Sequence, residues 1–320
     1  MKVVIVGSGA IGQWTAHHIS RAGAEVVLAS RSGGGLAKVV SPTPDPHVTT
    51  ARVDATDAKA LTDLADGADV LVNAVNPPYT DWDEKWPPMA AGFLEAAERT
   101  GAAYLIIGNL YAYGHPTTPM VEGVTPEAPN GHKGRIRAKM WHDALDAHHE
   151  GRIRTVELRA ADYFGPGATK GMSYLNTYAI TPAMAGRTAR HIMGVVDVPH
   201  SWTYLPDIGR LAAALATTDP NSDAWGRAWH VPTNAPRSLA DVARDVASLE
   251  GVPAHAPRAY PSIVKTALRV SPLIRELDEM APAFSAPYTL DASQAEERFG
   301  LAPTPWNQAL AETVSWLRTV

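Results

Sequence analysis

The chain has 320 residues, 45% of them hydrophobic and 19% charged, with a formal charge of −5. At that length it can build its core without staples, and the absence of cysteine excludes disulfides, thiolate metal ligands, iron–sulfur clusters and cysteine nucleophiles. The acidic balance argues against a nucleic-acid partner or an anionic membrane surface, and no apolar run approaches the roughly 20 residues that span a bilayer. The opening MKVVIVGSGAIG is interrupted by Gly7, Gly9 and Gly12, so it reads as a buried first strand and not as a secretory leader; a cytoplasmic location is expected.

In chain order, Val3–Val6 predicts a β-branched strand, Ile11–Ala22 a helix and Glu25–Ala29 a second strand. A loop follows in which Pro42, Pro44 and Pro46 forbid regular structure. Val48–Val53 is a third strand, Lys59–Ala65 lies in a helix, and Val70–Ala74 is a fourth strand. NPPYTDWDEKWPP reads as loop, Met89–Arg99 as helix, Ala103–Ile107 as a fifth strand, Arg137–His149 as helix and Arg154–Leu158 as a sixth strand. Six strands joined by crossovers predict an α/β fold, a Rossmann doubly wound parallel sheet. Beyond it, Ser173–Ala185 and Ile208–Leu215 read as helices, and His191–Val198 and Ala228–Val231 as strands. Ser238 caps a helix through Ala247, Asp291 and Gln294 have capping-box spacing, and Pro305–Leu317 closes the chain as an amphipathic helix. The expected partition is a Rossmann domain over 1–165 plus about 188–235, with a smaller, mixed C-terminal substrate domain over about 166–187 plus 236–320.

The segment Gly7-Ser8-Gly9-Ala10-Ile11-Gly12 is a G-x-G-x-x-G directly after the first strand and opening the first helix. Gly7 permits the tight turn, Gly9 lets a pyrophosphate approach the backbone, and Gly12 lets helix and strand pack closely. At the end of the second strand stand Ser30, Arg31 and Ser32, where an NAD site usually offers a carboxylate to the ribose hydroxyls. A guanidinium between hydroxyls suits a 2′-phosphate, which points to NADP(H). Asp54 and Ala55 after the third strand, and Ala74, Val75 and Asn76 after the fourth, are expected to face the cofactor, since ligands gather at the carboxyl ends of parallel strands.

Together these segments resemble the extended short-chain dehydrogenase/reductases, the NAD-dependent epimerase/dehydratase family. Val-Asp-Ala-Thr-Asp at 53–57, Asn-Ala-Val-Asn-Pro-Pro-Tyr at 73–79, Tyr113-Gly114, and Arg159 with Gly165-Pro166-Gly167 carry the resemblance. So do Tyr204 to Asp207, Asp291-Ala292-Ser293 and Phe299-Gly300-Leu301. It spans nearly the whole chain, and it implies an NADP(H)-dependent oxidoreductase or epimerase-type enzyme of small molecules that pairs with a second copy through helices of the first domain. The family's chemistry implies a Ser or Thr that holds the reacting oxygen, a Tyr that moves the proton, and a Lys in Tyr-x-x-x-Lys spacing that bonds the nicotinamide ribose. The serine position falls on Asn109, the lysine is expected at Lys139, and the tyrosine position is then Arg135. No tyrosine in the chain is followed four positions later by lysine. A guanidinium does not deprotonate near neutrality, so Arg135 offers fixed charge and no proton.

Substitute acids are Tyr113, Tyr111, His115 and His132, and a shifted register would start the functional helix at His132 or Lys133. Tyr79, Asp162 and Tyr163 are expected to contact substrate; Trp82 and Trp86 either cover a ligand or pack the loop. His142, Asp146 and His149 share a helical face that reads as solvated and not as a metal site, and Glu276 with Asp278 reads as solvated too. The missing tyrosine leaves two alternatives open: a non-redox cyclase, isomerase or lyase on the same scaffold, or a regulatory protein that senses NADP(H).

Overall fold

The alternating β-branched and amphipathic runs fold as strands and crossover helices. The computed structural model describes residues 1–169, 171–191, 193, 195–268 and 270–320. The first part runs β1 (Lys2–Val6), α1 (Ala10–Arg21), β2 (Glu25–Ser30), β3 (Val48–Arg52), α2 (Ala58–Ala65), β4 (Val70–Asn73), α3 (Trp82–Thr100), β5 (Ala103–Asn109), β6 (Met120–Val121), α4 (His132–His149) and β7 (Thr155–Ala160). There follow β8 (Asp162–Phe164), α5 (Thr181–Met184), β9 (Arg190–His191), β10 (Trp202–Tyr204), α6 (Leu205–Ala216) and β11 (Ala228–His230). The chain ends through α7 (Leu239–Glu250), β12 (Arg258–Ala259), α8 (Ser262–Leu268), α9 (Pro272–Asp278), β13 (Leu290–Asp291), α10 (Ser293–Phe299) and α11 (Trp306–Leu317).

Seven parallel strands form the central sheet in the order β11-β7-β5-β4-β1-β2-β3, the Rossmann architecture expected from the sequence. The order reverses between β1 and β4, which opens a crevice at their carboxyl ends. Strand alternation explains the two-sided core: Val3 and Ile5 of β1 join the layer of α1 and α6, while Val4 and Val6 join the layer of α2 and α3. A third core holds the C-terminal segments together, around Phe164, Trp202, Phe284 and Trp306. Small two-stranded pairings hold it: β10 with β8 and β12 with β9 lie within the later segments, and β13 with β6 ties them to the first part.

Four local expectations are corrected. Residues 82–88 are helix and not loop, because Trp82, Trp86, Met89 and Phe93 at helical spacing are all buried and outweigh the cost of Pro87 and Pro88 inside α3. The strand expected over His191–Val198 is limited to Arg190–His191, and residues 192 and 194 lie outside the described ones. Asp291 and Gln294 make no capping box: Ala292 is the N-cap of α10, and the Gln294 amide instead donates to the Glu122 carbonyl at 2.8 Å. Over Ser173–Ala185 the regular helix is reduced to a π-turn at Asn176–Ile180 and the short α5. At Ser238 the expected cap is present, as a reciprocal capping box with Asp241.

Candidate functional site

The glycine turn joins β1 to α1 at the crevice. Gly7 has φ 118°, and a Cβ on it would collide with the Ala74 carbonyl at the end of β4. A Cβ on Gly12 would collide with the Gly7 carbonyl. Gly9 differs: a Cβ there meets nothing within 4 Å, although Gly9 is the N-cap of α1. The first turn of α1 has no side-chain cap and no acidic residue, so nothing within the turn itself offsets its free amides and positive helix end. That is a cradle suited to an anionic group. Ser8, Ala10 and Ile11 complete the turn, whose shape is pinned when Gln13 donates to the Ser8 carbonyl at 2.9 Å.

Ser30, Arg31 and Ser32 follow at the end of β2. The Ser30 and Ser32 hydroxyls lie 3.3 Å apart, and the exposed Arg31 has no ion-pair partner among the described residues. Asp54 is exposed and accepts from the Thr56 amide and hydroxyl at 3.0 and 2.8 Å, which hold its carboxyl below the usual range. Ala55 is buried beneath it. Ala74 abuts Gly7, Val75 donates to Asn73 Oδ1 at 3.3 Å, and Asn76 is exposed. These expected cofactor residues therefore converge on one edge of the sheet.

The expected Arg135–Lys139 pair does not join them. Both lie on the solvent face of α4; Lys139 is 74% exposed and pairs with Asp143 at 2.8 Å. The inward face carries Lys133 and Arg137, the same four residues apart, in line with buried Met140, Trp141, Ala144 and Ala147. A stripe at i, i+4, i+7, i+8, i+11 and i+14 is one side of a helix, and only the register that includes Lys133 continues it. The shift is two residues, which rotates the pair about 200° around the helix. Arg137 is buried, with its guanidinium 5.0 and 4.4 Å from the ring centres of Trp82 and Trp86. Both tryptophans are buried and pack against this cation.

Lys133 is fully buried. Its ammonium donates to Glu276 and to Glu279 Oε2 (3.2 Å), and lies 3.2 Å from His132 Nε2. Glu279 Oε1 also accepts the Lys133 backbone amide at 3.0 Å, capping a helix whose own N-cap, Gly131, has no side chain. His132 Nδ1 sits 2.6 Å from Glu279, and Nε2 sits 3.9 Å from the exposed Asp83. A chain of ionisable groups thus runs from the buried ammonium to solvent. The Lys133 hydrogen bond holds the Glu276 carboxyl below its usual range. Glu276 was expected to be solvated; it is instead the roof over Lys133. His132, Glu276 and Glu279 are spaced for a metal ion, but the Lys133 ammonium already supplies a cation among them.

Around Lys133, the Tyr79 ring centre is 5.5 Å from its Nζ, and the Tyr79 and Tyr111 hydroxyls are 2.7 Å apart. Burial pushes both phenols upward, so each stays neutral. Asn109 ends β5 and accepts the Tyr111 amide at 3.1 Å, leaving its Nδ2 donors without a protein partner among the described residues. Asp162 accepts from His200 at 2.8 Å, and Tyr163 is partly exposed beside it. Tyr113 is not part of this group. It is buried, its hydroxyl bonds His230 Nε2 at 2.9 Å, and Arg159 stacks over its ring at 4.8 Å. His115 is half-buried and His142 pairs with Glu127 at 3.0 Å.

A surface cavity of about 400 Å³ lies elsewhere, at the β11 edge, lined by Arg227, Trp229 and Arg298. Its cations are already engaged by Gln294 and Asp223.

The family described as saccharopine dehydrogenase NADP binding domain matches residues 3–118, from β1 through β5. None of the curated proteins matches the chain by sequence. Among solved structures, the UDP-glucose 4-epimerase of Thermotoga maritima, with UDP-glucose, is 14% identical with a TM-score of 0.78, covering 100% of this chain and 99% of that one. The dTDP-glucose 4,6-dehydratase of Bacillus anthracis, in complex with NAD, is 15% identical with a TM-score of 0.79, covering 100% and 97%. The UDP-glucuronic acid 4-epimerase of Bacillus cereus, with UDP-glucuronic acid and NAD, is 17% identical with a TM-score of 0.78, covering 100% and 99%. At these identities the likeness is one of fold.

Proposed function

We propose that the chain is an NADP(H)-dependent enzyme of small molecules, an oxidoreductase or epimerase-type catalyst in which Lys133 is the proton donor. The glycine turn carries this reading: backbone fills the space beside Gly7 and Gly12, while the space beside Gly9 is open to the uncapped start of α1. The match of residues 3–118 to an NADP-binding family supports it, as do neighbours solved with NAD. Bound at the turn, the dinucleotide would supply or accept a hydride.

The remaining work falls to side chains of this protein. The α1 amides hold the pyrophosphate, and Ser30, Arg31 and Ser32 hold the 2′-phosphate. Arg137 keeps a fixed positive charge beneath the site, because a guanidinium does not deprotonate. Asn109 Nδ2 orients a substrate oxygen, and Lys133 Nζ gives that oxygen a proton. His132 lies within reach of both the ammonium and Asp83, and it returns a proton from solvent. Positioned proton transfer of this kind is worth about 10²–10⁴ in rate.

The test pairs NADPH with a series of aldehydes and ketones and follows loss of the reduced-nicotinamide absorbance. Lys133→Arg keeps a cation for Glu276 and Glu279 but has no proton to give. Its kcat is expected to fall about 100-fold while NADPH affinity is retained. Undiminished turnover by Lys133→Arg overturns the proton-donor role. Turnover of an added substrate without any nicotinamide overturns the redox role and favours an isomerase or lyase.

A further inference from the structure

β2 and β3 end side by side, with Ser30 and Arg52 in register as their last residues. Beyond Ser30 the chain turns sharply: Gly33 donates to the Ser30 carbonyl and hydroxyl at 3.2 and 3.1 Å. Gly33 has φ +69°, and a Cβ on it would lie 2.9 Å from Arg52 Cγ and 3.4 Å from its Nε. The Arg52 stem therefore packs directly against the turn that presents Ser30, Arg31 and Ser32. Both arginines are exposed, and neither has an ion-pair partner among the described residues. The neighbouring carboxylate, Asp54, has Oδ1 occupied by both Thr56 donors and attracts Arg31 from beyond ion-pair distance.

We infer that Arg52 is a second cationic ligand for the 2′-phosphate of NADP(H), so that arginines from two adjacent strands set the choice of cofactor. This rests on the dinucleotide reading above and names the residue that decides which dinucleotide is taken. A phosphate monoester carries about −1.5 to −2 charges near neutrality. Arg31 alone balances about half of that. Arg52 supplies the rest from the flank of the turn, and the Ser30 and Ser32 hydroxyls, 3.3 Å apart, supply neutral donors on the same turn. A ribose diol without the phosphate offers neither arginine an anion, and the Ser30–Arg31–Ser32 turn gives it no carboxylate acceptor. The packing of Gly33 on the Arg52 stem limits where the guanidinium swings, which lowers the ordering cost of holding an anion.

The experiment is calorimetric titration of the full chain with NADPH, NADH and adenosine 2′,5′-bisphosphate, on wild type, Arg52→Gln and Arg31→Gln. Arg52→Gln is expected to weaken NADPH and adenosine 2′,5′-bisphosphate about tenfold, as loss of one charge-assisted partner does. NADH is expected to stay within about twofold, with the salt dependence of NADPH binding reduced. NADPH affinity indifferent to Arg52→Gln, or NADH weakened equally, overturns the assignment and leaves the functional reading standing. A wild-type chain that takes up neither dinucleotide overturns both.

Discussion

At the scale of single residues, the site turns on two positions where neighbours of the same type behave oppositely. Gly9 and Gly12 belong to one motif, yet a Cβ fits at the first and collides with backbone at the second. Gly12→Val is therefore expected to destabilise the fold by several kcal/mol through overpacking, measured as a loss of Tm. Gly9→Val is expected to melt within a degree or two of wild type. Lys133 and Lys139 are the second pair. Lys133→Met strands two carboxylates that are mostly buried, at a cost of about 1–3 kcal/mol in chemical denaturation, whereas Lys139→Met, which breaks only an exposed i,i+4 pair, costs less than about 0.5 kcal/mol. The glycine turn was legible because its chemistry is backbone chemistry, written in adjacent letters. The partners of Lys133 were not: Glu276 and Glu279 lie more than 140 positions away, and nothing local marks two glutamates as the roof of a buried lysine.

At the scale of elements, α4 carries its inward register in its own periodicity. Lys133, Arg137, Met140, Trp141, Ala144 and Ala147 form the buried stripe, so apolar periodicity extended backwards identifies the inward register. Lys139, expected from its place near the helix start, and Arg135, four positions before it, lie on the exposed face instead. α3 shows the reverse conflict, in which proline chemistry argued for loop and the buried Trp82, Trp86 and Phe93 prevailed. α9 and Glu279 close over Lys133 through charge, and that closure has a pH signature. The folded pKa of Glu276 lies below its ordinary 4.5, chiefly through the Lys133 hydrogen bond. Its contribution is therefore present above about 4.5 and lost as the pH falls through the depressed value. Hydrogen-exchange protection across residues 272–279, taken relative to the unfolded chain at the same pH, is expected to fall between about pH 5 and 3. In Glu276→Gln that protection should already be low at pH 6, and protection equal to wild type would contradict the latch.

At the scale of the whole molecule, the parallel Rossmann sheet followed from alternating β-branched and amphipathic runs, while the C-terminal region did not, because its pairings are two or three residues long and join distant segments. Glu122 is one such joint: it accepts the amides of His230 in β11 and Ala295 in α10 at 2.5 and 3.1 Å. Burial pushes its carboxyl up to about 7. A raised folded pKa contributes stability below the ordinary 4.5 that is lost as the pH rises towards 7. Relative to wild type, Glu122→Gln should gain Tm as the pH is raised from about 5 to 8, and a constant offset would contradict the assignment. Among the described residues no helix is long and apolar enough to cross a membrane. The open face of the amino-terminal turn at Gly9 is where the dinucleotide would seat, and fluorescence titration of NADPH into wild type and Gly9→Val interrogates that face directly. Saturable uptake by wild type that weakens at least tenfold in Gly9→Val, at unchanged Tm, is the predicted result. No uptake by wild type, or equal uptake by both, would contradict it.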